Sequence, residues 1–460
     1  MVKVDRKVIK ELRKIVGKER CLTDFEDRLV HSYDATKQSV IPDVVVKPQS
    51  TEEVSAVLNV AHERGIPVYG RGAASGLTGG SVPVEKGIVI NFSEMKRILE
   101  IDSANFVAVV EPGVVLEDFQ KEVEKRGLFY PPDPASSDVA TMGGTVAECA
   151  GGLRGVKYGV TRDYVLALEV ALANGDVINT GSRTVKNVTG YDLTRLLVGS
   201  EGTLGLFTKI IVRLIPLPES VVTAIAFFDD LAKAAEACSA IMASRVLPRA
   251  VEIIDRMCYR TVQKYRKAPI SEKAQAVLLV ETDGTRESAR AEMAKAVSVC
   301  REHGAFDISQ TDAPEESEAL WQLRKSVSPA LYSICRKRIN EDICVPRTEL
   351  PATFARIEEI GRRHGILIGN YGHAGDGNIH VNLLLQEDSP ELVAKAERAV
   401  EEIFRAALEV GGTLSGEHGI GNTKSRFLSL EIRPREMGLM RDLKRLFDPK
   451  NILNPGKIFV

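Results

Sequence analysis

The 460-residue chain has no long apolar run. No window approaches the roughly 18 consecutive apolar residues a membrane span needs, so no integral membrane segment is expected. Met1 to Arg20 is rich in Lys, Arg and Glu and lacks the apolar stretch of a signal peptide. That points to a cytoplasmic protein, or one peripheral at the inner membrane only through a partner. Aromatics are 5% of residues, with one Trp, too few for a platform on which bases stack. Neither sign of charge dominates: 61 Lys and Arg face 63 Asp and Glu, a net charge of -2, which gives nucleic acid no electrostatic reason to bind. The seven cysteines (Cys21, Cys149, Cys238, Cys258, Cys300, Cys335, Cys344) include no Cys-x-x-Cys pair. This excludes a sequence-evident zinc ribbon or iron–sulfur cluster and fits mostly buried thiols in a reducing compartment. Histidine is scarce too, with none between His62 and His303.

What remains is a globular composition, 44% hydrophobic and 27% charged, in a chain long enough for two or three domains. Val44 to Val46 reads as a strand. Ser50-Thr51-Glu52-Glu53 reads as a capping box opening a helix with Val54, Val57, Leu58 and Ala61 on one face and Gly65 as its stop. Further strands are expected at 67–69, 106–110, 166–172, 177–179 and 207–214, with Asn174-Gly175 a hairpin turn. Pro216 and Pro218 mark a boundary. Beyond it, strands at 221–228 and 276–281 each precede a helix, a pattern that suggests a ferredoxin-like sheet. Helices are expected near 315–335, 352–363 and 391–410.

Glycine is concentrated in loops. The densest is Gly70-Arg71-Gly72-Ala73-Ala74-Ser75-Gly76-Leu77-Thr78-Gly79-Gly80. Bare backbone lets successive N–H groups turn toward one anion and lets a pyrophosphate come close. The spacing is not that of a Rossmann loop, because the third glycine would fall at Ser75. Pro131-Pro132-Asp133-Pro134 leading to Thr141-Met142-Gly143-Gly144, Gly151-Gly152 with Lys157-Tyr158-Gly159, and Gly199-Ser200-Glu201-Gly202 add three more loops. One such loop is as well explained by a tight turn; four in one domain suggest a long ligand threaded between subdomains.

Three of the seven histidines fall in two further motifs, Gly372-His373-Ala374-Gly375-Asp376-Gly377-Asn378-Ile379-His380 and Ser415-Gly416-Glu417-His418-Gly419. On a loop entering a strand, His373, His380 and Glu417 could converge on Zn²⁺ or Mn²⁺ with an open position. Histidines hydrogen-bonded for structure are the competing explanation.

In this order, the glycine loops and histidine motifs resemble the vanillyl-alcohol oxidase / p-cresol methylhydroxylase flavoproteins. More narrowly they resemble the D-lactate dehydrogenase, D-2-hydroxyglutarate dehydrogenase and glycolate oxidase D-chain group. The likeness runs from about Asp43 to the end. It implies an α+β fold: a two-subdomain FAD-binding domain (1–218), a ferredoxin-like α+β substrate or cap domain (219–425) and a segment (426–460) returning to the first domain. The active site would lie between the two domains.

The resemblance also implies site roles. Arg71, Gly72, Ala73, Ser75, Gly76, Leu77, Thr78 and Gly79 would cradle the FAD pyrophosphate. Pro132, Asp133, Thr141, Gly143, Gly144, Gly151, Gly152 and Tyr158 would line the isoalloxazine and ribityl side. Glu201 and Gly202 would sit near the adenine, and Asn454 in the closing turn beneath the flavin. Cys149 stands where many relatives read Asn. A linking His of some relatives would fall near Ser75, so FAD is expected to be non-covalent.

His373, His380 and Glu417 become the ligands of a divalent metal, Zn or Mn. His418, Arg324 and Asn378 form the catalytic set, with His418 as base and Arg324 gripping the substrate carboxylate; Arg338 is a second candidate. The implied reaction is oxidation of a small D-2-hydroxy acid, D-lactate or glycolate, with hydride passing to flavin N5. Electrons would then go to an external acceptor: a quinone, a cytochrome, an electron-transfer flavoprotein or an iron–sulfur protein. A homodimer or heteromeric complex fits this picture. Two other classes stay open: an electron-transfer subunit without substrate chemistry, and a metal hydrolase with phosphate-binding loops.

Overall fold

A computed structural model describes residues 4–266 and 271–459. The chain divides into two compact units. One comprises Met1–Ala150, Val160–Leu217 and Glu417–Val460; the other comprises Gly151–Gly159 and Pro218–Gly416.

In the first unit, Val44–Val46, Ile88–Asn91 and Val68–Arg71 lie side by side in parallel, with Cys21–Leu22 antiparallel at the edge. Their near-continuous apolar sequences suit strands covered on both faces. The helix Thr51–Arg64 starts and stops where its sequence signals say. Ser50 Oγ accepts from the Glu53 N–H, and Gly65 ends the helix at φ +63°. The reciprocal half of the capping box differs: Glu53 accepts from the Gln49 N–H and pairs with Arg20. Val54, Val57, Leu58 and Ala61 are fully buried. A five-stranded antiparallel sheet follows, ordered Ile98–Asp102, Val107–Val110, Leu206–Arg213, Val165–Ala171, Val177–Gly181. Asn174-Gly175 does turn the hairpin that pairs Ala171 with Val177. The segment after helix Pro434–Phe447 packs into this unit, with Ile452 and Leu453 in the same core as Val68.

The second unit carries one seven-stranded antiparallel sheet. Its order is Asp307–Thr311, Ser220–Phe228, Ala276–Gly284, Ala250–Asp255, Leu367–His373, Asn378–Leu385, Lys337–Cys344. In chain order the first four strands are fourth, first, third, second across the sheet, the ferredoxin-like arrangement, with helices Leu231–Ala243 and Arg286–Glu302 as its crossovers. An added helix, Arg256–Arg266, and three more strands extend it.

No disulfide joins any of the seven cysteines. Among the described residues no helix is long and apolar enough to cross a membrane.

Candidate active site

In the first unit three of the glycine-rich segments meet, those around Gly72, Gly143 and Glu201. Gly72 lies against Thr141, and Ser75 Oγ is 3.4 Å from Ser136 Oγ. Thr141-Met142-Gly143-Gly144, expected as a loop, is the start of helix Met142–Glu148, with Thr141 Oγ1 accepting from the Gly144 N–H. The side-chain oxygen of Thr141 satisfies an otherwise orphaned N–H and makes a helix of a glycine-rich sequence. Gly199 and Glu201 dock on that helix's end through N–H bonds to Val146 and Ala147.

Gly76 is informative because a side chain there would meet nothing within 4 Å. Among the described residues no neighbour demands glycine, so its bare backbone suits the approach of a ligand. The Arg71 guanidinium donates to the carbonyls of Val30 and Tyr33. Asn454 Nδ2 donates to the carbonyls of Glu201 (2.6 Å) and Gly80 (2.9 Å), so the closing turn ties two of the glycine segments. Gly151, Gly152 and Tyr158 belong to the second unit, where Tyr158 Oη donates to Asp283 at 2.7 Å and Lys157 pairs with the same carboxylate at 2.6 Å.

In the second unit the first histidine motif forms a hairpin rather than a loop. His373 ends one strand and His380 lies in the next, across from Tyr371. The alternation of a strand places Tyr371 and His373 on one face. Both histidines are buried, and their Nε2 atoms are 3.4 Å apart. Fully buried Glu252, on the adjoining strand, accepts from His373 Nδ1 at 2.6 Å and from Arg324 Nε at 2.6 Å. The Arg324 guanidinium also stacks 4.5 Å over the Tyr371 ring, whose centroid is 5.0 Å from that of His380. One connected network thus holds both imidazoles and an arginine.

No sequence motif marks Glu252; its one signal is a carboxylate inside the apolar run Ala250-Val251-Glu252-Ile253-Ile254, since buried charges occur paired. Glu281 and Asp283 are similar; they hold Arg249, and Glu281 also accepts from Trp321 Nε1. Asn378 has a backbone partner: its Nδ2 donates to the Ile343 carbonyl at 3.0 Å. Arg338 donates to Ser328.

The second histidine motif begins in this unit. Gly416 N–H donates to the Asp342 carbonyl, and Asp342 is the residue across from His380 in the sheet. Glu417 follows by one peptide bond. In the first unit, the side chains of Glu417 and His418 are 3.9 Å apart and mostly buried.

Residues 42–181 match the model of the FAD binding domain family, and residues 217–458 match that of the FAD linked oxidases, C-terminal domain. The chain is 42% identical over 457 residues to glycolate oxidase subunit GlcD of Bacillus subtilis (strain 168), covering 99% of this chain and 97% of that one. It is 38% identical over 461 residues to a D-lactate dehydrogenase of Archaeoglobus fulgidus, covering 98% of each. The structure of p-cresol methylhydroxylase with substrate bound superposes at a TM-score of 0.82, with 19% identity over 99% of this chain and 96% of that one, a likeness of fold.

Proposed function

Because the chain belongs to the FAD-linked oxidases, we propose that it oxidises a small 2-hydroxy acid, D-lactate or glycolate, to the 2-keto acid. The observation that carries this reading is the Glu252 network, in which two imidazoles and an arginine are fixed around one buried carboxylate. A 2-hydroxy acid presents a carboxylate to be gripped and a hydroxyl whose ionisation a metal would ease, and this network holds an arginine for the first and two imidazoles to hold a metal for the second.

FAD is bound without a covalent link, since Ser75 stands where a linking histidine would be. Backbone around Gly76 would hold the pyrophosphate, beside the Gly72–Thr141 and Ser75–Ser136 contacts. When bound, the flavin supplies the acceptor for the hydride leaving the alcohol carbon.

His373 and His380 suit a divalent metal. Two imidazole nitrogens at ~2.0–2.1 Å from one tetrahedral ion stand ~3.3–3.4 Å apart, and the two Nε2 atoms are 3.4 Å apart. Glu252 on His373 Nδ1 leaves the Nε2 lone pair for the ion and fixes the ring. Glu417 is the third ligand in this reading, its path set by Gly416 on Asp342. Zn²⁺ or Mn²⁺ there would lower the cost of ionising the substrate hydroxyl.

The chain's own groups do the rest. His418 accepts the hydroxyl proton, as a neutral imidazole can near neutral pH. Arg324, with Nε committed to Glu252, presents its remaining N–H groups to the substrate carboxylate. Asn378 braces the Ile343 carbonyl and so the hairpin between the histidines. Without a cysteine cluster in the sequence to carry electrons onward, an external acceptor takes them.

Anaerobic mixing with D-lactate, L-lactate and glycolate, following the flavin's visible absorbance before and after chelation, tests the proposal. Bleaching by one acid, lost with chelator and restored by Zn²⁺ or Mn²⁺, is expected. A flavin that no 2-hydroxy acid bleaches would overturn it.

A further inference from the structure

The segment that carries His418 is stitched to the glycine loop within the first unit. Thr78 Oγ1 donates to the His418 carbonyl at 3.3 Å, and the Thr78 carbonyl accepts from the N–H of Asn422 at 3.0 Å. Gly421, at φ +50°, rests so closely on the Thr78 backbone that a Cβ there would collide with it. The turn between these contacts is held by a side chain. Glu201 accepts from the N–H of Ile420 through one carboxylate oxygen and from the N–H of Gly421 through the other, both at 2.7 Å. Its own main chain is fixed as well, since its carbonyl accepts from Asn454 and its N–H donates to Ala147.

Glu201 is 5% exposed, so its carboxylate has little water to turn to and the two N–H groups are its anchors. Bonds from N–H groups to a carboxylate are about twice as strong as neutral ones. A side chain at Gly419 would touch the carboxylates of both Glu201 and Glu148, so the turn passes directly over this pair. His418 precedes Gly419 immediately.

We propose that Glu201 is a positioning residue for His418: its carboxylate clasps the Ile420–Gly421 turn and seats the base on the Thr78–Gly80 segment of the cofactor loop. The inference rests on reading His418 as the proton acceptor, and it gives Glu201 a task other than contact with the adenine. A misplacement of about 1 Å at a reacting group can cost roughly 100-fold in rate, and the clasp acts two residues from the base.

The test uses the flavin-loaded protein and three readouts: flavin content, anaerobic flavin reduction by the substrate acid, and NMR of isotope-labelled histidine side chains. The chain has only seven histidines, and His418→Asn assigns the signal of interest. Glu201→Gln puts an amide N–H against a backbone N–H. It is expected to lower the limiting reduction rate by roughly 30–100-fold, leave the half-saturating acid concentration within about threefold, retain full flavin and move the His418 resonance. Glu201→Asp should recover part of the rate. An unmoved His418 resonance, or a loss of flavin that accounts for the lost rate, overturns the proposal. If Glu201→Gln does not fold, Thr78→Val removes the donor to the His418 carbonyl while leaving the carboxylate clasp. Its His418 resonance should then stay close to wild type with a rate loss under about tenfold; a displaced resonance with a collapse in rate would mean that Thr78, not Glu201, seats the base. His418→Asn separates the two ideas: wild-type reduction in that variant removes the base reading, while the Glu201 clasp is still judged by the resonance.

Discussion

Two buried carboxylates, one in each unit, are accommodated in opposite ways. Glu252 gives one oxygen to Arg324 and the other to His373, each at 2.6 Å. Glu201 gives both of its oxygens to backbone N–H groups, and the side chain beside it is a second acid, Glu148. Burial pushes the Glu148 carboxyl well above the usual carboxylate range, and the nearby Glu201 pushes it further. Burial raises Glu201 as well, against the pull of its two N–H donors. The first centre is side chain to side chain on strands and a helix; the second depends on the course of a glycine turn. A charge matched by a charge is lost badly when one partner goes, whereas a charge matched by N–H groups fixes a backbone path. The contrast fits their proposed tasks: Glu252 orients a ligand ring, and Glu201 holds a loop.

The largest effect is expected at Glu252. Glu252→Ala strands the buried Arg324 cation and removes the acceptor from His373, a loss of about 3–5 kcal/mol. Urea unfolding measures it. Adding Arg324→Met should recover part of that loss, because the orphaned charge goes too; a double variant no more stable than the single would mean that the pair is not the source. Next comes His380→Asn. If the histidine pair holds a metal worth several kcal/mol to the reaction, reduction by the acid slows about 1,000-fold. Metal content should fall to background while the urea midpoint moves less than in Glu252→Ala. Wild-type metal content in this variant would separate the two histidines' tasks and dissolve the first centre as a metal site.

The same contrast explains how much of the molecule is legible in its sequence. Elements with local signals are legible: Ser50 and Gly65 bound a helix, Asn174-Gly175 turns a hairpin, and the strands at 44–46 and 206–213 follow apolar patterns. The flavoprotein fold is legible through motifs in order. The strands Ala250–Asp255 and Lys337–Cys344 escape because embedded acids break their apolar pattern. Those acids are intelligible only with partners from far along the chain: Glu252 needs His373, 121 residues on. The Gly143-Gly144 segment reads as a loop because helix propensity disfavours glycine, yet the Thr141 cap and the packing around it prevail. Gly421 appears in the sequence as one more loop glycine; its close approach to Thr78 exists only in three dimensions.

The smallest effect bears most directly on the comparison. Lys457 is buried beside Glu201, Glu148 and Asp34, and its Nζ donates to the Val82 carbonyl at 2.8 Å. Burial lowers its pKa from 10.5 to about 8, with the three acids holding it from falling further. Between those two values the folded chain binds fewer protons at this site than the unfolded chain. Unfolding therefore takes up a proton there, and stability rises with pH across the window. The cost is fully present below about pH 8 and gone above about 10.5. Relative to Lys457→Met, the wild type should gain up to about 3 kcal/mol between those limits. Urea midpoints of both proteins at pH 7 and near pH 10 measure the difference, which cancels the titration of other groups. No gain would mean that Lys457 stays charged in the fold with an ionised acid beside it. The second centre would then be charge matched by charge, like the first, and the distinction between the two carboxylates would rest on the backbone bonds alone.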